Sequence, residues 1–248
     1  MDELLLEKAA IQFRSDWGIN NKDAVRLKSL LQKLNVITIF KPLSDSFSGM
    51  ALKTGLDNLT ARFILINDKQ SIGKQHFTIC HELYHLFIQK DFVSRVCKTG
   101  LFDKKDKEEY NADIFASYLL LPTDGLIELI PDEELAGKHK ISIGTIVYLE
   151  QFFSCSRRAL LYRLKKMKLI SDVQYEQYCM HVKRSALENG FNIDLYEAGN
   201  HNVIIGNYGS VAKELFDKDR ISESHYYSLL SDLGININAF ENESNGDE

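Results

Sequence analysis

Residues 81–85 carry the most specific chemical pattern in the chain. They read His-Glu-Leu-Tyr-His, and the apolar residues around them predict a buried helix. Side chains four positions apart on a helix differ by about 40° around the axis and about 6 Å along it, so His81 and His85 can bind one metal ion. Glu82 is about 100° from His81 and can take a proton on the open side of that ion without binding it. The pattern predicts a metal-dependent hydrolytic site.

The next predicted helix offers a third ligand, which a catalytic zinc ion generally needs. Glu109 and Asp113 lie one turn apart on this helix, so Glu109 could bind the ion while Asp113 accepts the outer N–H of a ligating histidine. Glu108 is the competing ligand. It has no carboxylate four positions later, and the spacing therefore favours Glu109.

The segments that contain these residues resemble the ImmA/IrrE family of bacterial and phage zinc metallopeptidases. The resemblance extends over residues 64–67, 77–85, 109–116 and 119–122. It implies one zinc ion per chain, with His81, His85 and Glu109 as its ligands and Glu82 as the catalytic base, in agreement with the helical spacing.

Two residues depart from the family pattern. Tyr84 stands where the family often has Gly, and could crowd the substrate cleft. Asp113 stands where the family often has Asn, which makes the site similar to the gluzincin pattern of HExxH followed by ExxxD.

The implied reaction is peptide hydrolysis. Zinc would polarise the scissile carbonyl and lower the pKa of a bound water from about 15.7 towards about 7, while Glu82 accepts the proton. The developing oxyanion needs a further donor, which the sequence alone does not identify. Four residues are conceivable donors: Tyr84, Tyr110, His76 and His201.

A small sheet and several helices are predicted to position this site. Runs of β-branched and aromatic residues at 36–40 and 62–67 predict strands, and residues 49–54 could pair between them. A helical pattern over residues 3–34 is broken near Gly18, where Asn21 or Asp23 could cap a second helix. The two site helices are predicted at about residues 74–89 and 105–121. We therefore expect an α+β, zincin-like metallopeptidase domain.

Two further helices are predicted at about residues 143–152 and 156–168, with a spacing that resembles a helix-turn-helix. On the second of them, Arg157, Arg158 and Arg163 could contact DNA phosphates or guanine edges. The alternative, which we favour, is a solvated basic face on a helical module packed against the peptidase. Similar helices follow the metal site in many ImmA/IrrE relatives, so this one supports the resemblance more than it supports DNA binding.

Composition and charge set the wider expectations. The 248 residues are 44% apolar and 26% charged, which excludes a disordered chain, and the net charge of −5 argues against bulk affinity for nucleic acid or anionic membranes. The four cysteines form no CxxC pair, which is typical of a reduced, cytoplasmic protein. The N-terminus is acidic and the chain has no long apolar run, so we predict that the protein is neither secreted nor inserted into a membrane.

The prolines near residue 125 and the charge distribution predict three parts. These are a metallopeptidase domain at 1–128, a helix-turn-helix-like helical module at 129–189, and a small acidic C-terminal segment at 190–248 whose residues 242–248 form a disordered tail.

The sequence predicts a zinc metallopeptidase. Its substrate, by resemblance, would be a cytoplasmic regulatory protein such as a helix-turn-helix repressor, in a stress, prophage or mobile-element response. The alternative is a DNA- or protein-binding regulator, conceivably antitoxin-like, with a structural zinc and no peptidase activity.

Overall fold

The computed structural model describes residues 2–56, 59–92, 94–97 and 99–234. The N-terminal half of this mixed α+β fold contains helices α1 (Glu3–Asp16), α2 (Leu27–Lys33), α3 (Ile72–Phe87) and α4 (Lys107–Leu120), and strands β1 (Val36–Lys41), β2 (Gly49–Leu56), β3 (Leu59–Asn67) and β4 (Ser94–Cys97). The remainder contains helices α5 (Thr123–Leu129), α6 (Asp132–Leu135), α7 (Ile143–Phe153), α8 (Arg157–Lys166), α9 (Asp172–Tyr178), α10 (Val182–Glu188), α11 (Tyr208–Asp217) and α12 (Glu223–Asp232), a 3-10 turn (Asp194–Tyr196) and strand β5 (Ile204–Ile205). The predicted fold class is confirmed.

The sheet has five strands in the order β4-β2-β3-β1-β5. Strands β1 and β3 pair in parallel, with Val36 opposite Arg62, while β2 pairs antiparallel with β3 and β4. Alternate residues of β1 are buried, as expected for a strand with one face against the core. The strand predictions at 36–40, 49–54 and 62–67 are confirmed, but the placement of 49–54 between the other two strands is wrong, because β1 and β3 pair directly and β2 lies on the other side of β3. The four-residue strand β4 was not predicted.

Helix α3 lies against β2 and β3 and also packs on α4, which in turn packs on α1. Buried residues occur around the whole circumference of α3, from Gly73 to Leu86. A helix that is covered on all sides belongs in a core rather than on a surface. This position places residues 81–85 between the sheet and α4.

The structure has the predicted break between the first two helices, but neither Asn21 nor Asp23 caps the second helix. Helix α2 starts after Arg26, and no side chain caps it. Residues 20–23 form a turn instead, because the buried guanidinium group of Arg14 donates hydrogen bonds to the backbone carbonyl oxygens of Asn20 and Asp23. These carbonyl groups are therefore held outside a helix.

Residues 197–205 run alongside the N-terminal half of the fold. The Phe40 amide donates to the Val203 carbonyl at 2.9 Å, and the Ile72 amide donates to the Glu197 carbonyl at 2.8 Å. Further along, β5 pairs antiparallel with β1. A late segment of the chain thus completes one edge of the sheet.

One cluster of buried apolar side chains joins the N-terminal helices and the sheet to α7 and α8. Leu160, Leu161 and Leu164 of α8 have no exposed surface. The three-part division of the chain stays a prediction, and residues 242–248, predicted to be disordered, lie outside the described residues. Among the described helices, none is both long and apolar enough to cross a bilayer.

Candidate metal centre

Helix α3 presents His81, Glu82 and His85 inside the protein, and none of the three has exposed surface. The four-residue spacing brings the Nε2 atoms of His81 and His85 to 3.1 Å from each other. Both imidazoles therefore point into the same small volume, as the helical spacing predicts.

The protons of both rings are held on Nδ1. His81 donates from Nδ1 to Asp113 Oδ1 at 2.9 Å, and His85 donates from Nδ1 to Gln89 Oε1 at 2.5 Å. In a neutral imidazole with its proton on Nδ1, Nε2 carries a lone pair. The two Nε2 atoms lie 3.1 Å apart, so a proton in the metal-free protein, or a metal cation in its place, would stabilise them where they face each other.

Helix α4 supplies a carboxylate to the same volume. Asp106 caps the helix by accepting hydrogen bonds from the Glu108 and Glu109 amides. Glu109 then places Oε2 at 3.2 Å from His81 Nε2 and Oε1 at 3.5 Å from His85 Nε2. The carboxylate of Glu108 lies elsewhere and accepts a hydrogen bond from the Tyr84 hydroxyl at 2.8 Å. Of the two neighbouring glutamates, Glu109 thus lies next to the imidazoles and Glu108 does not.

Asp113 is fixed from two sides. Besides His81, its Oδ1 accepts from the Gly100 amide at 2.9 Å, and its Oδ2 accepts from the Phe102 amide at 2.8 Å. Because these backbone donors hold the carboxylate in place, Asp113 in turn sets the orientation of the His81 ring.

Cys97 is a fourth donor in this cluster, and we did not predict it from the sequence. Its Sγ lies 3.6 Å from His85 Nε2 and 3.6 Å from Glu109 Oε1. The donor atoms of His81, His85, Cys97 and Glu109 all lie within 4.8 Å of one another. Cys97 ends β4, so its place here depends on strand pairing, for which the local sequence gives no signal.

The four donors fit a tetrahedral metal. With Zn–N of about 2.0 Å and Zn–S of about 2.3 Å, tetrahedral geometry separates two nitrogen or oxygen ligands by about 3.3 Å, and sulfur from either by about 3.5 Å. The nitrogen and oxygen donors lie 3.1, 3.2 and 3.5 Å apart, and the sulfur lies 3.6 Å from His85 Nε2 and from Glu109 Oε1. A set of imidazole, carboxylate and thiolate donors at these distances suits zinc.

Glu82 lies beside the donors with one oxygen uncommitted. Its Oε1 is buried and has no hydrogen-bond partner among the described residues, whereas Oε2 lies 3.7 Å from Cys97 Sγ. The space is left by Gly49, because a Cβ there would lie 2.9 Å from Glu82 Oε1 and 2.6 Å from Thr78 Cγ2. A buried, unpartnered carboxylate oxygen beside converging ligands is suited to accept a proton.

Residues 32–165 match the sequence model of the Peptidase_M78 family, described as the IrrE N-terminal-like domain. The chain belongs to this metallopeptidase family. The match covers more than half of the sequence and confirms the resemblance to the ImmA/IrrE family. No curated protein matches the chain at a significant level.

Burial and neighbouring charges shift the pKa values of this IrrE-like centre in the metal-free protein. Burial raises the pKa of Glu82 to about 7, although His81 and His85 oppose the shift. Burial would lower the pKa of His81, but hydrogen bonds to Asp113, Cys97 and Glu109 raise it well above its usual value. For Glu109, burial acts to raise the pKa, and hydrogen bonds from the two histidines lower it overall. The cluster therefore binds positive charge strongly.

The conceivable oxyanion donors of this M78 chain have other neighbours. His76 Nδ1 lies 2.7 Å from the Ser154 carbonyl, and His201 lies 3.4 Å from Asp68 with most of its side chain exposed. The Tyr84 hydroxyl is bonded to Glu108, and the Tyr110 ring lies 5.8 Å from Lys104 Nζ. The assignment of a donor therefore stays open among them.

The three arginines predicted as DNA contacts differ in exposure. Arg157 is buried, pairs with Glu150, and donates to the Tyr178 carbonyl and Ser185 Oγ. Arg163 is also buried and donates to the Leu121 carbonyl and Thr123 Oγ1. Only Arg158 is exposed. Of the three, Arg158 alone could reach a phosphate without a rearrangement of the fold.

Sequence reasoning also missed Gln89, the partner of His85. Gln89 follows His85 by four positions, which is the spacing at which helical side chains meet. This signal was available in the sequence.

Proposed function

We propose that this chain is a zinc-dependent endopeptidase with His81, His85 and Glu109 as metal ligands and Glu82 as the catalytic base. The observation that carries the proposal is the convergence of two imidazole Nε2 atoms and a carboxylate beside the buried carboxylate of Glu82, whose Oε1 has no hydrogen-bond partner among the described residues. A bound zinc ion would polarise the scissile carbonyl and acidify a water molecule.

The residues of the chain would share the remaining work. Glu82 would accept a proton from the attacking water at Oε1 and later deliver it to the leaving amine. Asp113 and Gln89 would hold the two imidazoles in the ligating tautomer by accepting their Nδ1 protons. Burial of Glu82 favours this role, because exclusion of water destabilises the charged carboxylate, which raises its pKa and makes it a stronger base.

The proposed substrate is a regulatory protein of the cytoplasm, in particular a helix-turn-helix repressor whose cleavage releases a stress, prophage or mobile-element response. The substrate is proposed from the family, because ImmA/IrrE relatives suggest such targets. The proposal that the protein comes from a bacterium or a phage rests on the same family.

A second function is favoured by one observation. Four protein donors around one point, including Cys97, are typical of structural zinc sites, which leave no position for water. A protein- or DNA-binding regulator with a structural zinc would need no base at position 82.

Substitution of Glu82 by Gln separates the two functions. We expect Glu82→Gln to keep the zinc content of the wild-type protein, because Glu82 is not a ligand, and to lower cleavage by about 10²-fold or more, because the base is lost. Zinc can be measured by atomic emission. Cleavage can be measured by mass spectrometry of new protein N-termini in host cells that express either variant.

The matched control is Glu108→Gln, which neutralises a glutamate on the neighbouring helix that binds Tyr84 rather than the donor cluster. This control should leave both zinc content and the new N-termini unchanged. The same N-termini in cells expressing the wild type and Glu82→Gln, both with Cys97 present and with an added Cys97→Ala substitution that removes the fourth donor, would reject the peptidase and favour the structural-zinc regulator.

A further inference from the structure

Cys97 differs from the other buried cysteines in its surroundings. Cys80 and Cys155 belong to the apolar core cluster. Cys97 instead has the imidazole of His85 and the carboxylates of Glu82 and Glu109 within 3.7 Å of its sulfur. A small apolar side chain would fill this space without placing a metal-binding atom there.

The strand pairing directs Cys97 into the donor cluster. Cys97 lies opposite Gly49 in the β2–β4 register, and Gly49 is the residue that leaves room for Glu82. Strand β4 is the edge strand next to β2, and its last residue, Cys97, brings its sulfur into the donor cluster. The cluster is thereby closed by three separate elements.

The distances around the sulfur match metal binding. The separations from the sulfur to His85 Nε2 and to Glu109 Oε1 are both 3.6 Å, close to the value of about 3.5 Å expected for sulfur and nitrogen or oxygen ligands on one tetrahedral zinc. Independently, Oε1 of fully buried Glu82 has no hydrogen-bond partner among the described residues, and Oε2 of the same carboxylate lies 3.7 Å from Cys97 Sγ.

We propose that the Cys97 thiolate is a fourth protein ligand of the resting metal centre, and that it occupies the position at which hydrolysis must take place. The proposal rests on the proposed function, because it assumes the metal held by His81, His85 and Glu109. The resting enzyme is then latent, and displacement of Cys97 from the metal makes the fourth position available. The metal would then have four protein ligands in the resting state and three, with one open position, during catalysis.

Cobalt substitution tests the ligand. Co²⁺ in a tetrahedral site gives visible d–d bands, and a bound thiolate adds a near-ultraviolet charge-transfer band. We expect both features in the wild-type protein titrated with Co²⁺. Cys97→Ala should lose the charge-transfer band and keep the d–d bands, and Cys97→Ser should do the same if the alanine variant does not fold. Cys179→Ser, which changes a cysteine outside the cluster, should keep both.

Azide tests whether the fourth position is closed. Added to the cobalt-loaded protein, azide should leave the d–d spectrum of the wild type unchanged and shift that of Cys97→Ala, because only the variant has a free coordination position. Equal azide shifts in both proteins would overturn the latent state.

The outcomes separate this inference from the proposed function. Cobalt bound with d–d bands but without a charge-transfer band in the wild type would overturn the role of Cys97 alone. Failure of the wild-type protein to bind cobalt at all would overturn the metallopeptidase assignment, and the role of Cys97 with it.

Discussion

At the scale of single residues, the properties of the centre follow from where two protons are held. Asp113 and Gln89 accept the Nδ1 protons of His81 and His85, and both Nε2 atoms are thereby directed at one point and can give their lone pairs to a metal. Neither acceptor needs to contact a metal in order to determine whether its histidine can bind one. An imidazole with its proton on the wrong nitrogen would present N–H to the cation and could not bind it.

Substitution of Asp113 tests this dependence. We expect Asp113→Asn to weaken zinc binding by about 10- to 100-fold, because an amide oxygen is a poorer acceptor for the His81 Nδ1 proton and the amide can also turn its NH₂ group towards the ring. Competition with a chromophoric chelator would measure the affinity. Asp106→Asn, at the N-cap of the same helix, controls for the loss of charge. Equal affinities for wild type and Asp113→Asn would contradict the role of this carboxylate.

At the scale of elements, the centre depends on how closely α3 can approach its neighbours. The Gly73 Cα lies against the chain between α7 and α8, and a Cβ there would lie 2.8 Å from the Cys155 carbonyl carbon and 2.8 Å from the Ser156 nitrogen. Both atoms belong to the backbone, which cannot turn aside as a side chain can. The contact fixes the start of α3 against the turn that begins α8.

Gly73→Ala should therefore destabilise the protein, although alanine is the better helix former by about 1 kcal/mol. We expect the free energy of unfolding to fall by about 1–3 kcal/mol, the usual cost of overpacking, as measured by urea denaturation. Gly209→Ala in α11 is the control, because its Cβ would approach only the end of the Leu233 side chain, at 3.1 Å. A Gly73→Ala variant as stable as the control would show that the two backbones can separate easily.

The sequence predicts elements better than it predicts contacts between them. Helices α3 and α4 were recognisable from their 3.6-residue period, and β1 and β3 from their β-branched runs. Strand β4 was not recognisable because four residues carry too little pattern. Cys97 could not be assigned to the centre for the same reason: its neighbours depend on the pairing of β4 with β2, which is a property of the whole sheet.

At the scale of the whole molecule, the helices after residue 129 help to form the core. Arg157 at the start of α8 is 3% exposed and pairs with fully buried Glu150 of α7. Its guanidinium group also reaches the Tyr178 carbonyl and Ser185 Oγ, so that it joins α7 and α8 to α9 and α10. A basic residue that appeared suited to nucleic acid thus has an internal structural role in this fold.

Two adjacent arginines provide a matched test of that role. Arg157→Ala should lower the free energy of unfolding by about 3–5 kcal/mol, because it leaves the Glu150 carboxylate buried without its partner. Arg158→Ala, which removes an exposed guanidinium group, should change it by no more than about 0.5 kcal/mol. Both can be measured by urea denaturation. Similar stabilities for the two variants would contradict the pairing of Arg157 with Glu150.

The hydrogen bonds between residues 197–205 and the sheet have a consequence for protein synthesis. Strand β1 cannot pair with β5, nor can the Ile72 amide reach the Glu197 carbonyl, until the ribosome has translated and released those late residues. A nascent chain that already exposes both histidines and Glu109 therefore still has an open sheet edge. We expect the emerging protein to stay sensitive to added protease until this segment leaves the exit tunnel, so that the complete fold forms only after most of the chain has been made.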